Sequence, residues 1–154
     1  MELVVVDSGL RHDLGAGEFA RRVAECREAA RRLGVASLRD AAAGDLVALE
    51  RDGHAVLHAR ARHVVEENAR VLGAVEAIRT NDWSALGRLL DEGHASLRDL
   101  YEVSRPEMDA LVARLREAGA LGARMTGGGF GGCAVALVRD GDAARVERAL
   151  SVAG

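Results

Sequence analysis

The sequence contains no lysine: all 21 of its Lys-plus-Arg positions are arginine. That absence excludes three mechanisms within this chain. A Walker A loop needs Gly-Lys-Ser/Thr, a protein kinase needs the lysine of its third strand, and Schiff-base catalysis needs a side-chain amine. Aromatic residues are scarce, at 3%, which argues against stacking platforms for nucleic-acid bases. The net charge of −3 is too small to point to a polyanion, and charges of both signs are mixed along the chain as on solvated helix faces. No nucleic-acid partner is expected. No apolar run approaches the ~18 residues that a membrane span needs, and the start, "MELVVVDSG", lacks the basic region of a signal peptide. The two cysteines, Cys26 and Cys133, sit in apolar patterns. They read as buried thiols in a reducing compartment, not as a disulfide framework. A cytoplasmic protein with no membrane partner is expected.

What is present is an apolar fraction of 49% in 154 residues, enough for one domain, 1–154, that buries about 70% of its unfolded surface. Leu3 to Val6 is a short β-branched run that reads as a buried strand. Phe19, Val23, Cys26, Ala30 and Leu33 then recur at spacings of 4, 3, 4 and 3, one face of a helix stopped by Gly34. "SLRD", Ser37 to Asp40, has the form of a capping box opening a short helical piece. Val64, Asn68, Val71, Val75 and Ile78 give the stripe of a long helix from about Ala55 to Arg79. Asn81 or Asp82 caps the next helix, whose stripe is Leu86, Leu90, His94, Leu97 and Tyr101. In "SRPE", Ser104 is the expected N-cap, Pro106 lies in the first turn and Glu107 closes the box. Met108, Leu111, Val112 and Leu115 form that helix's apolar face. A strand, a glycine loop, a second strand and a last helix near Asp142 to Ser151 follow.

This order predicts an α+β domain, a ferredoxin-like antiparallel sheet covered by helices. Three strands suffice only beneath a helix layer, so a fourth strand is expected beyond Gly154.

The loop itself is the most informative stretch: five of the six residues from Gly127 to Gly132 are glycine. Gly127, Gly129 and Gly132 formally satisfy G-x-G-x-x-G. A Rossmann site needs a helix directly after the loop, and here the apolar, β-branched "CAVALV" follows. What remains is a glycine-rich loop between two strands whose N–H groups suit a nest for an anion or packing against another phosphate loop. The plain alternative is a bulge or strained turn with no ligand. Gly129 is taken as a position where a side chain would enter phosphate or sugar space.

"RMTGGGFGGC" resembles the third conserved motif of the GHMP sugar and isoprenoid kinases, in the form typical of galactokinases. Three further blocks, "DSGLRHDLGAGEFARRVAEC", "ARHVVEENARV" and "GHASLRDLYEVSRPEMDALV", resemble galactokinases in the same order. The resemblance implies the C-terminal domain of an ATP-dependent kinase that phosphorylates galactose at its anomeric hydroxyl. It assigns Thr126, Gly127, Gly128, Gly129, Phe130, Gly131 and Gly132 to a phosphate or substrate loop. The family's sugar-gripping motif, its Gly/Ser-rich phosphate motif and its catalytic aspartate are not in this sequence. The chain therefore reads as an excised C-terminal domain with no catalytic residue and no metal ligand of its own. Its partner is its own N-terminal kinase half, which holds most of the ATP and Mg²⁺ contacts. An exposed apolar docking patch and self-association are expected.

Three further residues are candidates for phosphate or sugar contact. Arg11 follows the first strand, and guanidinium forks match phosphate oxygens. Phe19, in "GEF", replaces a "SEY"-like stretch whose tyrosine approaches the sugar in the resembling family. It keeps the ring and loses a hydroxyl worth about tenfold in affinity at most, which leaves the exact sugar open. His94 lies in the block that faces the family's site, although its place on the apolar stripe equally suits a core histidine. Ser96 reads as a local hydrogen bonder. His54, His58 and His63 read as surface histidines, and Arg60, Arg62 and Arg70 as a solvated helix face. The reading from another class is a non-catalytic galactokinase-like sensor or a free-standing ligand-binding module.

Overall fold

A computed structural model describes residues 1–10 and 17–151. Strand β1 (Glu2–Asp7) leads to helix α1 (Glu18–Leu33), which Gly34 ends in the left-handed conformation at φ 71°. Two 3₁₀ turns, Leu38–Asp40 and Ala43–Leu46, precede the short α2 (Val47–Arg51). Then come α3 (Ala55–Arg79), α4 (Trp83–Asp99), α5 (Pro106–Glu117), β2 (Gly122–Thr126), β3 (Cys133–Val138) and α6 (Ala143–Ser151). The strands form one antiparallel sheet in the order β1-β3-β2, with Val4 opposite Ala136 and Ala123 opposite the same residue from the other side. Among the described residues no helix is long and apolar enough to cross a membrane.

One face of the sheet packs on α5 and α6 through Met108, Val112, Leu115 and Val146. A separate helical core joins α1, the 3₁₀ turns, α2 and the first half of α3 through Ala29, Ala30, Leu38, Leu49 and Ala61. Helix α3 reaches both regions because its 25 residues extend about 37 Å. Its second half reaches the opposite face of the sheet, where Ala77 meets Leu86 and Leu137.

Several local expectations are corrected. Val71, Val75 and Ile78 are exposed by about half or more; the packed residues of that half-helix are the smaller Ala74 and Ala77. β1 is an edge strand, not a buried one: Val4 is buried while Leu3 and Val5 are about two-thirds exposed, so its faces alternate. Ser37 caps only a 3₁₀ turn, through the Arg39 N–H; the carboxylate that reaches back to an N-cap amide is that of Asp45, to Ala42 at 2.7 Å. Asp82 is the cap of α4, accepting from the Ala85 N–H at 2.8 Å. Ser104 does not cap α5; its hydroxyl turns to Asp109, at 2.5 Å, and Arg105 takes the N-cap position. Both cysteines are free thiols and only partly buried; burial raises the Cys26 pKa, and its sulfur lies 3.5 Å from the Tyr101 hydroxyl.

Arg60 and His63 are the larger corrections. Arg60 is 1% exposed and ion-paired, so it belongs to no solvated face. His63 is buried between α3 and α4, stacked on Tyr101 with ring centroids 4.4 Å apart. Its Nδ1 meets the Ser96 hydroxyl at 2.8 Å, so Ser96 bonds across helices and not locally. Helical spacing could not separate these residues from their exposed neighbours, because α3 is packed on different sides along its length.

Helix α4 closes the outer edge of β2. A Cβ at Gly87 would overlap the main-chain carbonyl of Leu121, and one at Gly122 would overlap the backbone of Gly87. Helix and strand therefore cross backbone to backbone. Below the crossing, the Asp91 carboxylate accepts from the Ala123 N–H at 2.9 Å and His94 Nδ1 from the Met125 N–H at 3.4 Å. A helix supplies what a further strand would supply at an exposed edge.

Helix propensity alone says that Gly87→Ala gains about 1 kcal/mol. The crossing reverses the sign: the expected result is a loss of about 1–3 kcal/mol, because the neighbour that must yield is backbone. Gly73→Ala, whose Cβ would meet only Leu89 at an ordinary 3.4 Å, is the control and is expected to be neutral or stabilising. Chemical denaturation of the two variants checks this; equal effects would refute the crossing. His63 yields a second expectation. Burial lowers its pKa from 6.5 to about 4, so the unfolded chain takes up its proton first as pH falls. Its contribution is complete above pH 6.5 and is lost between 6.5 and 4. By pH 5 about 2 kcal/mol should be gone. Melting temperature followed from pH 7 to 5 should fall steeply in the native chain and less in His63→Asn; parallel slopes would refute the assignment.

Candidate functional site

The candidate site is the loop between β2 and β3, and its residues divide into two sets. Thr126, Gly127 and Gly128 are exposed, whereas Gly129, Phe130 and Gly131 are buried. The buried set explains part of the glycine content without any ligand. A Cβ at Gly129 would stand 2.5 Å from the Val103 Cβ, and one at Gly131 would stand 2.8 Å from the Leu10 carbonyl oxygen. Gly129 also has φ 89°, where a side chain is strained. The expectation that a side chain at Gly129 would enter ligand space is therefore corrected: it would enter the protein's own interior.

Phe130 anchors this half of the loop. Its ring is buried in the sheet's main core, its φ is 60°, and its N–H donates to the Val103 carbonyl at 2.7 Å. Gly132 ties the loop's far end to the chain after β1. Its carbonyl accepts from the Ser8 N–H at 3.0 Å and the Ser8 hydroxyl at 2.6 Å. The single aromatic in a glycine run was the available sign of this anchor. Val103 and Leu10, which the loop approaches, had no sign of their own.

The exposed set is different. A Cβ at Gly127 would meet nothing within 4 Å, and one at Gly128 would meet only the Phe19 ring at 3.8 Å. Among the described residues the N–H groups of Gly127 and Gly128 have no main-chain acceptor. The tip thus presents amides and the Thr126 hydroxyl, a donor surface that suits an anion.

Of the other candidates, Phe19 is brought to the tip. Its half-exposed ring, in the first turn of α1, flanks Gly128. His94 is not at the tip. It is buried under the edge of β2, with Nδ1 on the Met125 N–H and Nε2 3.1 Å from Asp109 Oδ1. Burial lowers its pKa against the attraction of Asp109. With Nδ1 accepting, the neutral ring carries its proton on Nε2, facing that carboxylate. His94 holds the strand that enters the loop. Arg11 lies outside the described residues.

Comparison with known proteins places the chain in a family. Residues 74–153 match the family described as GHMP kinases C terminal. A Thermotoga petrophila galactokinase is 44% identical over 150 residues, covering 97% of this chain and 42% of its own length. A Streptomyces coelicolor galactokinase is 46% identical over 160 residues, covering 100% of this chain and 41% of its own. The crystal structure of Lactococcus lactis galactokinase complexed with galactose superposes with a TM-score of 0.88 at 37% identity, over 97% of this chain and 40% of that one. The chain thus spans about two fifths of the length of the galactokinases it matches. With the family profile covering more than half of its residues, the chain belongs to the GHMP kinase C-terminal family.

Proposed function

We propose that this chain is the C-terminal domain of an ATP-dependent galactokinase and works with an N-terminal kinase half. The observation that carries the reading is the divided glycine loop: one side is locked into the core, and the other, beside Phe19, carries amides with no main-chain acceptor among the described residues. The identity to galactokinases across nearly the whole chain supports the same reading. The three-stranded sheet under α5 and α6 is taken as the ferredoxin-like layer of that domain. The exposed strip of Val71, Leu72, Val75 and Ile78, with Leu3 and Val5, supports an apolar partner surface and self-association of the chain through it.

The substrate is galactose and the phosphoryl donor is ATP. Phosphoryl transfer rests on positioning and on stabilising charge spread over the transferred group. In this reading the tip amides and the Thr126 hydroxyl orient a phosphate oxygen, and Phe19 covers the sugar side and excludes water. Arg11 is kept as a phosphate contact. The described residues of the tip, Thr126, Gly127, Gly128 and Phe19, carry no carboxylate, so in this reading the Mg²⁺ that neutralises phosphate charge is assigned to the N-terminal half, with the catalytic base. A cytoplasmic compartment is part of this reading.

Alone with ATP, Mg²⁺ and galactose, the chain is expected to release no ADP. Substituted for the matching residues of the Lactococcus lactis enzyme, it should restore galactose-dependent ADP release. A folded but silent chimaera would refute the kinase reading. Gly128→Ala in the active chimaera tests the tip. Its methyl adds only an ordinary contact to Phe19, so melting should hold while turnover falls at least tenfold; misplacing a reacting group by about 1 Å costs up to ~10²-fold. Unchanged turnover would remove the tip from the site.

A further inference from the structure

We propose that Arg22 and Arg60, far from the glycine loop in sequence, are positioning residues for it. They act through the segment Leu100–Val103, on which the buried half of the loop rests. The proposal builds on the kinase reading for its catalytic consequence but not for its structural one.

The contacts form a continuous series. Glu25 Oε2 accepts from Arg22 Nη1 at 2.6 Å and from Arg60 Nε at 2.9 Å, which pairs α1 with α3. The same two guanidiniums then take three successive main-chain carbonyls after α4. Arg60 Nη1 donates to Leu100, Arg22 Nε to Tyr101 at 2.5 Å, and Arg22 Nη2 to Glu102 at 3.0 Å. Arg60 Nη2 also holds the Glu102 carboxylate at 2.7 Å. Glu102 has φ 53°, a backbone state that a non-glycine residue keeps only where its surroundings over-determine it. The next residue, Val103, is buried. Its N–H donates to the Leu97 carbonyl at 3.0 Å, its carbonyl receives the Phe130 N–H at 2.7 Å, and its side chain fills the space beneath Gly129. Phe130 is itself at φ 60°. Two strained residues, Glu102 and Phe130, therefore meet across Val103, and among the described residues the charged groups that hold the first of them are Arg22 and Arg60, themselves paired through Glu25.

A bidentate fork is what allows one side chain to hold a carboxylate and a carbonyl together, and lysine cannot reproduce it. Arg60→Lys keeps the charge and loses the fork. Glu102→Gln keeps the shape, on an exposed side chain, and loses the charge; it serves if Arg60→Lys does not fold. Leu49→Val, in the helical core remote from the loop, is the control for general loss of stability. Amide exchange of the full 154-residue chain is followed by NMR. Local opening separates from global unfolding in such data. In Arg60→Lys and Glu102→Gln the Phe130 amide should exchange at least tenfold faster relative to the slowest amides of α1, with no such change in Leu49→Val. In the active chimaera the same variants should lower kcat at least tenfold with KM for galactose within about twofold, and Leu49→Val should not. Phe130 exchange that merely tracks global stability in all three variants overturns the proposal, as does a kcat unmoved by faster Phe130 exchange. Selective Phe130 exchange together with a silent unsubstituted chimaera upholds the support of the loop and overturns only the kinase reading.

Discussion

The guanidinium of Arg60 is removed from water almost completely, and the arrangement of both halves of the domain follows from how it is satisfied. Every donor it uses has an anionic or carbonyl partner: Glu25, Glu102 and the Leu100 carbonyl. Burial would push the Glu25 carboxyl upward, but hydrogen bonds from Arg60, Arg21 and Arg22 outweigh it and hold the pKa at about 2. The cluster is thus fully charged at neutral pH. Such a cluster adds little net stability over apolar packing, while removal of one partner typically costs ~3–5 kcal/mol. What it contributes is geometry. Apolar contacts between α1 and α3 tolerate sliding; a fork shared among a carboxylate on one helix and carbonyls after another does not.

A second constraint fixes the sheet against which that cluster works. The backbone crossing of Gly87 and Gly122 leaves no room for α4 to shift on β2, and Asp91 and His94 consume N–H groups along the strand's open edge. Helix α4 therefore sets β2 at one end of the loop and, through its continuation into Leu100–Val103, the support beneath the loop's middle. The loop's far end also meets the chain just after β1, through Ser8 on Gly132. The site is positioned by main-chain contacts from three separate elements, which suits a group that must be placed to within a fraction of an ångström.

The element order was legible because caps and breakers mark it locally: Gly34 ends α1, Asp82 starts α4 and Pro106 opens α5. The glycine loop and the nearness of Phe19 to it could also be anticipated. The interior of α3 could not. Arg60 and His63 carry polar side chains on a helix whose buried side changes along its length, so periodicity assigned them to solvent while distant Glu25 and Ser96 drew them inward. The edge role of His94 was hidden for the same reason: its partner, the Met125 amide, is 31 positions away and has no side-chain signature. Val103 as the floor of the loop depends on three carbonyls whose direction no side chain announces.

A run of five glycines is costly, since each loses more backbone entropy on folding than any other residue. A ligand alone would not demand so many. The buried glycines answer to the protein's interior: Gly129 to Val103, and Gly131 to the carbonyl of Leu10. The exposed ones have no such neighbour, yet Gly127 holds φ 102° in open space. An ordinary surface turn with free room would accept asparagine or aspartate there. The left-handed geometry at Gly127 follows from the anchor behind it: once Phe130 is pinned at φ 60° on Val103, the chain leaving Thr126 has few ways to reach it. The interior contacts therefore dictate the shape of the exposed tip, and the tip amides that suit an anion, which have no main-chain acceptor among the described residues, are the outward consequence of a floor built from Val103 and held by Arg22 and Arg60.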